Sequence, residues 1–481
     1  MVLLICAVLL PIAGGTLLFL LRPSRPLRMI WVMAALLIQT FCIAGLLVSY
    51  QGSAWSLAPF IDTLPFLFRI DSVGVFFAVL FTLAELCISV FAFRYMSHEH
   101  GENRFFGCWL IAAGVLTGLS FAGNFITFYL FYEFMTLSTM PLVLHEMTHR
   151  AQMAGLKYLL YSVCGALLTL FGGMYLYQFD DALVFQAGGA AIPDSPAHLR
   201  IIAFCMIVGF CCKAGMFPLH GWLPTAHPEA PAPASAFLSA CITKCGVLGV
   251  IRTIYFFIGA DVLRGSWVQT AWMSLALLTV FLGSMMAYIE PVLKKRLAYS
   301  TVSQVSYVLF GLALLNETGF TGAILQIVFH MAVKIGLFLC AGAIIFQTGY
   351  TRVEDLRGIG HRMPVTMLCW TMLSLSLVGI PPFGGFVSKW FLAEGALAAN
   401  VGFFRILGPT VLLLSALLTA GYLFPLSVRG FFSAPPIERN EVKQTMLIPM
   451  GIVSLFALVG GIATKPFIMV AADFIRICRG G

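Results

Sequence analysis

Five lysines (Lys157, Lys213, Lys244, Lys334 and Lys389) and two glutamates (Glu85 and Glu133) lie inside stretches that are otherwise continuously apolar. An ionised side chain at the centre of a bilayer costs about 3 kcal/mol or more, so such residues are rare without a use or a partner. Seven in one chain read as a string of protonatable sites, and the chemistry open to such a string is the movement of protons or cations. Desolvation favours the uncharged form of a buried lysine or glutamate, whereas an ion pair between them favours the charged forms. A lysine whose counter-ion approaches and withdraws is therefore a proton switch. Glu133 in FYLFYEFMTLSTM and Lys213 in GFCCKAGMFP are candidates for that pair, and Lys244 in SACITKCGVLG for the next site. His330 and Lys334 stand at i and i+4 in QIVFHMAVKIG, on one helix face, where a histidine suits a relay near neutral pH. Lys389 ends the series, with Glu394 beyond it near the membrane edge. Lys157 begins its span and can snorkel to the interface. Glu85 can pair with a neighbouring subunit.

The elements that hold these residues follow from composition. Of 481 residues, 60% are hydrophobic and 10% charged, with mean hydropathy +0.96. Soluble domains carry about 25% charged residues, so this is an all-α polytopic membrane protein, with no sign of nucleic-acid binding. Val2–Leu21 has neither a basic n-region nor a small-residue cleavage site and reads as a retained span. The thirteen cysteines contain no CxxC pair, which argues against a disulfide framework. Apolar runs begin near residues 2, 29, 72, 105, 123, 155, 200, 231, 267, 298, 319, 363, 404 and 446, about fourteen spans. Loops after odd-numbered spans hold fifteen basic residues, from Arg22 to Lys443. The other side holds eight, Arg69, Arg200, Arg252, Arg264, Arg405, Lys465, Arg476 and Arg479. The positive-inside rule then makes the odd loops cytoplasmic and puts both termini outside. The acidic loop 179–198, with Asp180, Asp181 and Asp194, agrees.

Two places interrupt the helical text. Residues 216–234 read MFPLHGWLPTAHPEAPAPA, with His220 and His227, directly after Lys213; residues 379–386 read GIPPFGGF, directly before Lys389. Paired Gly/Pro interruptions point to discontinuous helices in an inverted repeat, where transporters build ion sites. Irregular backbone at that depth needs protein or a wet cavity around it, and each broken end aims a dipole at the buried charge.

From about 120 to 395 the chain resembles the antiporter-like subunits shared by respiratory complex I, Mrp-type cation/proton antiporters and group 4 membrane-bound hydrogenases. The resemblance rests on Glu133, AGLKYLLYS around Lys157, KAGMFPLHGWLPTAHPEAP around Lys213 and ITKCGVLGVIR around Lys244. It continues through KKRLAYSTVSQVSY, HMAVKIGLFLCAG around Lys334 and GIPPFGGFVSKW ending past Lys389. It implies fourteen helices with two inverted five-helix repeats, each containing a discontinuous helix. N-terminal helices would occupy 1–120, the repeats 121–260 and 261–430, and a C-terminal helix 431–481. It also implies a mid-membrane chain of Glu133, Lys213, Lys244 and Lys389, connected through His330 and Lys334. Lys157, His220, His227, Glu85 and Glu394 are further candidates for the pathway.

Two features depart from the family pattern. With the fourteenth span close to the last residue given, the lateral helix of the longest complex I member is not expected here. Thr225 also stands in LPTAH where many relatives have LPDAH. The HPEAPAPASA wording leans toward the hydrogenase and Mrp branches. The resemblance implies partners among other antiporter-like and small membrane subunits, with hydrophilic redox subunits in some branches. It also implies the cell (inner) membrane of a bacterium or archaeon. No cofactor is expected in this chain, which has neither a cysteine cluster nor a Gly-rich nucleotide loop. Iron–sulfur, nickel–iron or flavin groups would belong to partners.

Two other classes compete. A stand-alone cation/proton antiporter would use the same buried charges. An intramembrane zinc protease is suggested by His145-Glu146-Met147-Thr148-His149, a literal HExxH. No later span supplies an aspartate as third ligand, so no metal site is expected.

Overall fold

In lipid only a helix or closed barrel satisfies its own backbone, so the apolar runs fold as helices. The computed structural model describes the chain except residues 50–51, 62–63, 181, 190–191, 433–437 and 479–481; Asp181 and Arg479 thus lie outside the described residues. α1 (Val2–Leu21) and α2 (Arg25–Ser49) precede a β-hairpin, β1 (Ala54–Ile61) and β2 (Leu64–Arg69). α3 (Ser72–Tyr95), α4 (Glu102–Ser120), α5 (Phe125–Val143) and α6 (His149–Tyr177) follow. The side chains of Asp71, Asn124 and Thr148 accept hydrogen bonds from backbone N–H groups three residues on, capping α3, α5 and α6.

α7 (Pro196–Ala214) and α8 (Leu223–Glu229) are separated by the first break. α9 (Ala232–Phe237), a π turn (Leu238–Ile242), α10 (Thr243–Arg252) and a second π turn (Thr253–Ile258) form one span, which α11 (Ala260–Leu263) follows. Next come α12 (Trp267–Ile289), α13 (Leu293–Ala313), α14 (Glu317–Thr348) and α15 (Ile359–Arg362). α16 (Pro364–Val378) and α17 (Gly384–Ala398) flank the second break. α18 (Phe404–Phe432), α19 (Gln444–Ile462) and α20 (Lys465–Cys478) complete the order.

The fold is helical as expected, with one addition. The chain is not purely helical: the hairpin joins α2 to α3, and Asn124 Nδ2 ties it down by donating to the Pro65 carbonyl at 2.9 Å. Eleven helices among the described residues are by themselves long and apolar enough to cross a membrane. Helices also lie at the other three expected starts, but they fall short. α4 opens on Glu102 and Arg104, α13 on Lys294, Lys295 and Arg296, and α16 has 15 residues.

Burial is uneven in a way that matters for the site. In the spans Ala232–Ile258 and Glu317–Thr348 the apolar window is 100% buried, against 39% in α1, α2, α6, α18 and α19. The two spans most thoroughly withdrawn from lipid are those that carry Lys244 and the His330–Lys334 pair. At 1.5 Å per residue the 32-residue α14 is about 48 Å long.

Candidate functional site

Both breaks are built the same way. α7 ends on Gly215 (φ 87°), whose N–H donates to the Cys212 carbonyl, while the Met216 N–H donates to Cys211. α16 ends on Gly379 (φ 92°), with Gly379 N–H to Ser376 and Ile380 N–H to Leu375. This pair of bonds closes a helix on a left-handed residue, a conformation glycine reaches without Cβ strain. The helices thus stop at membrane depth, with charged side chains beside the stops.

Lys213 stands in the last turn of α7 and is 1% exposed. Its Nζ donates to Ser162 Oγ (2.6 Å), Thr136 Oγ1 (2.8 Å) and Tyr158 OH (3.1 Å), and it lies 4.4 Å from the Tyr158 ring centroid. Glu133, on α5, is half-buried; the two charges act on one another, but no ion pair within 4.0 Å joins them. A fan of hydroxyls holds the ammonium in place of the expected carboxylate.

Lys244 Nζ bonds the Ser239 carbonyl of the π turn at 2.7 Å and His330 Nδ1 at 2.8 Å. Two bases share this hydrogen bond. Lys244 as ammonium donates to a neutral imidazole, or a protonated imidazole donates to a neutral amine, so one proton serves both. The other ring nitrogen, Nε2, is buried without a partner. It faces a small cavity lined also by Gln304, Gln326, Ser376, Leu377 and Lys389, with room for about one water molecule. The Ser376 hydroxyl there is unpartnered as well.

Lys389, on α17, reaches back across the break to the last carbonyls of α16, Leu377 O at 2.5 Å and Val378 O at 2.9 Å. The negative end of one half-helix thereby holds the cation of the other. Lys334 turns away from His330, donating to Leu297 O (2.9 Å) and Ser300 Oγ (2.7 Å) on α13. His330 and its cavity therefore lie between Lys244 and Lys389, and Lys334 stands to one side.

The remaining candidates divide. Lys157 donates to Thr225 Oγ1 at 3.0 Å, linking α6 to α8, and its charge reaches the half-buried His220. His227 is 0% exposed with neither ring nitrogen partnered. Glu85 is 1% exposed with both carboxylate oxygens unpartnered, close enough to Cys241 and Cys245 to act on them electrostatically. It faces the interior, contrary to its expected pairing with a neighbouring subunit. Glu394 is exposed on α17 beside Trp390 and Leu397, away from the central string.

Arg252 also differs from expectation. It is no loop residue but is 1% exposed at the end of α10, in a two-pronged bond to Asp71 (2.5 and 2.9 Å). The polar groups that hold the string, Thr136, Ser162, Ser300, Gln304 and Gln326, were missed. Serine, threonine and glutamine at helical spacing read as ordinary span residues. The HExxH run does not lie on a helix: His145 and Glu146 occupy the turn after α5, Met147 has φ 55°, and His149 starts α6. Zinc chelation by an i, i+4 pair is therefore not available, and no three His, Cys, Asp or Glu among the described residues are placed to hold a metal.

A sequence profile of the family described as NADH:quinone oxidoreductase/Mrp antiporter, TM, matches residues 122–459. The chain belongs to this family. A second profile, NADH-ubiquinone oxidoreductase (complex I) chain 5 N-terminus, matches residues 61–106. Among relatives, NADH-quinone oxidoreductase subunit N of Desulforudis audaxviator is 32% identical over 420 residues, covering 83% of this chain and 82% of that one. Hydrogenase-4 component B of Escherichia coli is 28% identical over 412 residues, covering 79% and 60%. A chain in the Mrp complex from Dietzia sp. DQ12-45-1b has the same fold, with TM-score 0.84 at 22% identity, covering 98% of this chain and 96% of that one. The antiporter-like chain is thus a multi-pass membrane subunit, and its relatives span the complex I, hydrogenase and Mrp branches without favouring the two toward which its HPEAPAPASA wording leans.

Proposed function

We propose that this antiporter-like subunit translocates protons through Glu133, Lys213, Lys244, His330 and Lys389, with Lys334 as a side station. The observation that carries the reading is the 2.8 Å bond between Lys244 and His330. Two bases on the two most buried spans share one hydrogen bond, with no carboxylate between them to fix a charge. Glu133 acts on Lys213 from a distance, and a change in that distance would alter the charge the hydroxyl fan has to hold. The two matching breaks support a division into inverted repeats over 121–260 and 261–430. The excess of basic residues in odd-numbered loops supports a cytoplasmic assignment for them and outer-side termini.

The chain's relatives support work within a larger membrane assembly, beside other antiporter-like and small membrane subunits. Hydrophilic subunits bearing iron–sulfur, nickel–iron or flavin groups would supply any redox energy. The test is to reconstitute the native assembly and record the pH gradient it forms. Lys244→Met should abolish the gradient with subunit composition unchanged; an unaltered gradient overturns the reading. Mass spectrometry of co-purifying chains, with nickel and iron assays, distinguishes a hydrogenase-type module, a dehydrogenase-type module and a metal-free antiporter.

A further inference from the structure

A pocket of about 510 Å³ with charged residues in its walls opens on the face that carries the odd-numbered loops, apart from the central string. Its walls are the segment 99–104 and the turn 145–148, including Glu99, Arg104, His145 and Glu146. His145 is 3% exposed, and neither ring nitrogen has a hydrogen-bond partner of normal geometry, with the His100 backbone close by. Burial, aided by the Arg104 charge, holds this imidazole down to about 4, so at neutral pH it is a free base in the pocket wall. Arg104 itself is occupied, donating to the His145 carbonyl at 2.5 Å.

Behind the pocket stands a series of buried polar groups. Glu146, Glu229 and Glu99 all act electrostatically on Lys294, a buried residue whose Nζ donates to the Ala230 carbonyl at 2.8 Å. Ala230 closes α8, and one turn earlier on that helix stands the wholly buried His227 with both nitrogens free. Its ring stacks on Phe338 of α14 at 4.8 Å. Lys334, one turn before Phe338, has its Nζ 5.9 Å from the same ring. The charges of Lys334, Lys294 and Lys244 all act on His227. An unpartnered histidine between a carboxylate-lined pocket and the buried lysines has no packing need for its two free nitrogens, and leaving them unbonded is costly.

We propose that this pocket is the proton-loading mouth of the protein: Glu99 and Glu146 in its walls, with Glu229 behind them, take protons from water on the odd-loop face, and His227 passes them to Lys334. Each step moves one proton. Hydronium becomes water as a carboxylate is protonated; that carboxylic acid reverts to carboxylate as His227 gains the proton on one ring nitrogen, and His227 releases one from the other to the neutral Lys334 amine, which becomes ammonium. Three carboxylates against Lys294 and Arg104 leave one negative charge, which a single proton cancels. The His-Glu-Met-Thr-His turn then has a role that needs no metal. It supplies Glu146 at the rim and a neutral base, His145, in the wall. The inference rests on the proton-translocating reading above.

The experiment uses the native assembly in vesicles, with transport followed by a pH-sensitive dye and assembly checked by co-purification. Glu99→Gln/Glu146→Gln/Glu229→Gln changes side chains in and behind the pocket, none of them fully buried, where misfolding is less of a risk; His227→Gln breaks the hand-off. Each should slow transport about tenfold or more. Imidazole added on the odd-loop face should restore the triple variant, while imidazole on the opposite face should not, a distinction that loss of a structural role would not produce. If Lys244→Met stops transport while both mouth variants run at the wild-type rate, the mouth is overturned and the central string stands. Rescue from either face equally also overturns it. If Lys244→Met has no effect, the proton-translocating reading falls and the mouth with it.

Discussion

Lys244 Nζ and His330 Nδ1, on two spans withdrawn from lipid, stand 2.8 Å apart. Neither has a carboxylate partner, so protonation of one weakens the case for protonation of the other. His330→Gln keeps an acceptor for Lys244 but cannot carry a proton onward. Transport should fall about a hundredfold in this variant, with the assembled complex recovered in normal yield. Dye-monitored proton movement in vesicles checks it, and a rate within twofold of wild type refutes it.

The second break depends on a close approach. A Cβ on Gly385 would lie 1.8 Å from the Ser376 carbonyl oxygen, so α17 can meet the end of α16 only with glycine there. Gly385→Ala must push the halves apart and draw Lys389 from the Leu377 and Val378 carbonyls. A loss of about 1–3 kcal/mol is expected, read as a lower melting temperature in detergent, together with impaired transport.

Glu441 caps α16. Its carboxylate accepts from the Val365 N–H (2.8 Å), the Thr366 N–H (3.2 Å) and the Thr366 hydroxyl (2.6 Å). Glu441→Ala should cost about 1–2 kcal/mol and open the first turn, seen as faster amide exchange at Val365 and Thr366. Unchanged exchange there would remove the cap from the account.

The Arg252–Asp71 bond joins the end of α10 to the start of α3. Arg252→Met leaves Asp71 without its counter-charge in a largely enclosed site. Destabilisation of about 3–5 kcal/mol is expected. Asp71→Asn/Arg252→Met, which removes both charges, should recover much of it, and a double variant no better than the single would contradict the pairing.

His145 predicts an acid-side weakness. Its imidazole falls from 6.5 to about 4 on folding, equivalent to about 3 kcal/mol. The unfolded chain binds the extra proton between these values, so stability contributed here is present above pH 6.5 and is lost as pH falls toward 4. His145→Leu should flatten the melting temperature across that window. An equally steep fall in the variant would assign the effect elsewhere.

Much of the scaffold is legible in the sequence. The apolar runs predicted where helices start, because lipid penalises unsatisfied backbone whatever the details of packing. The Gly/Pro clusters at 216–234 and 379–386 marked both breaks, and the left-handed glycines that end the helices, Gly215 and Gly379, stand at their leading edges. The buried lysines announced ion movement by their cost alone. The hairpin was not legible, since its prolines at 59 and 65 and its short strands read as loop.

What only the tertiary structure decided is which group answers each charge. Lys213 finds three hydroxyls and not Glu133, Lys389 finds carbonyls across a break, and Lys334 turns to α13 while His330 takes Lys244. The i, i+4 spacing placed His330 and Lys334 on one face, yet neighbouring helices drew them to different partners. Hydropathy constrains a helix along its axis but leaves its rotation free. That rotation is set by packing against the other spans, and with it the identity of every partner in a chain of buried charges.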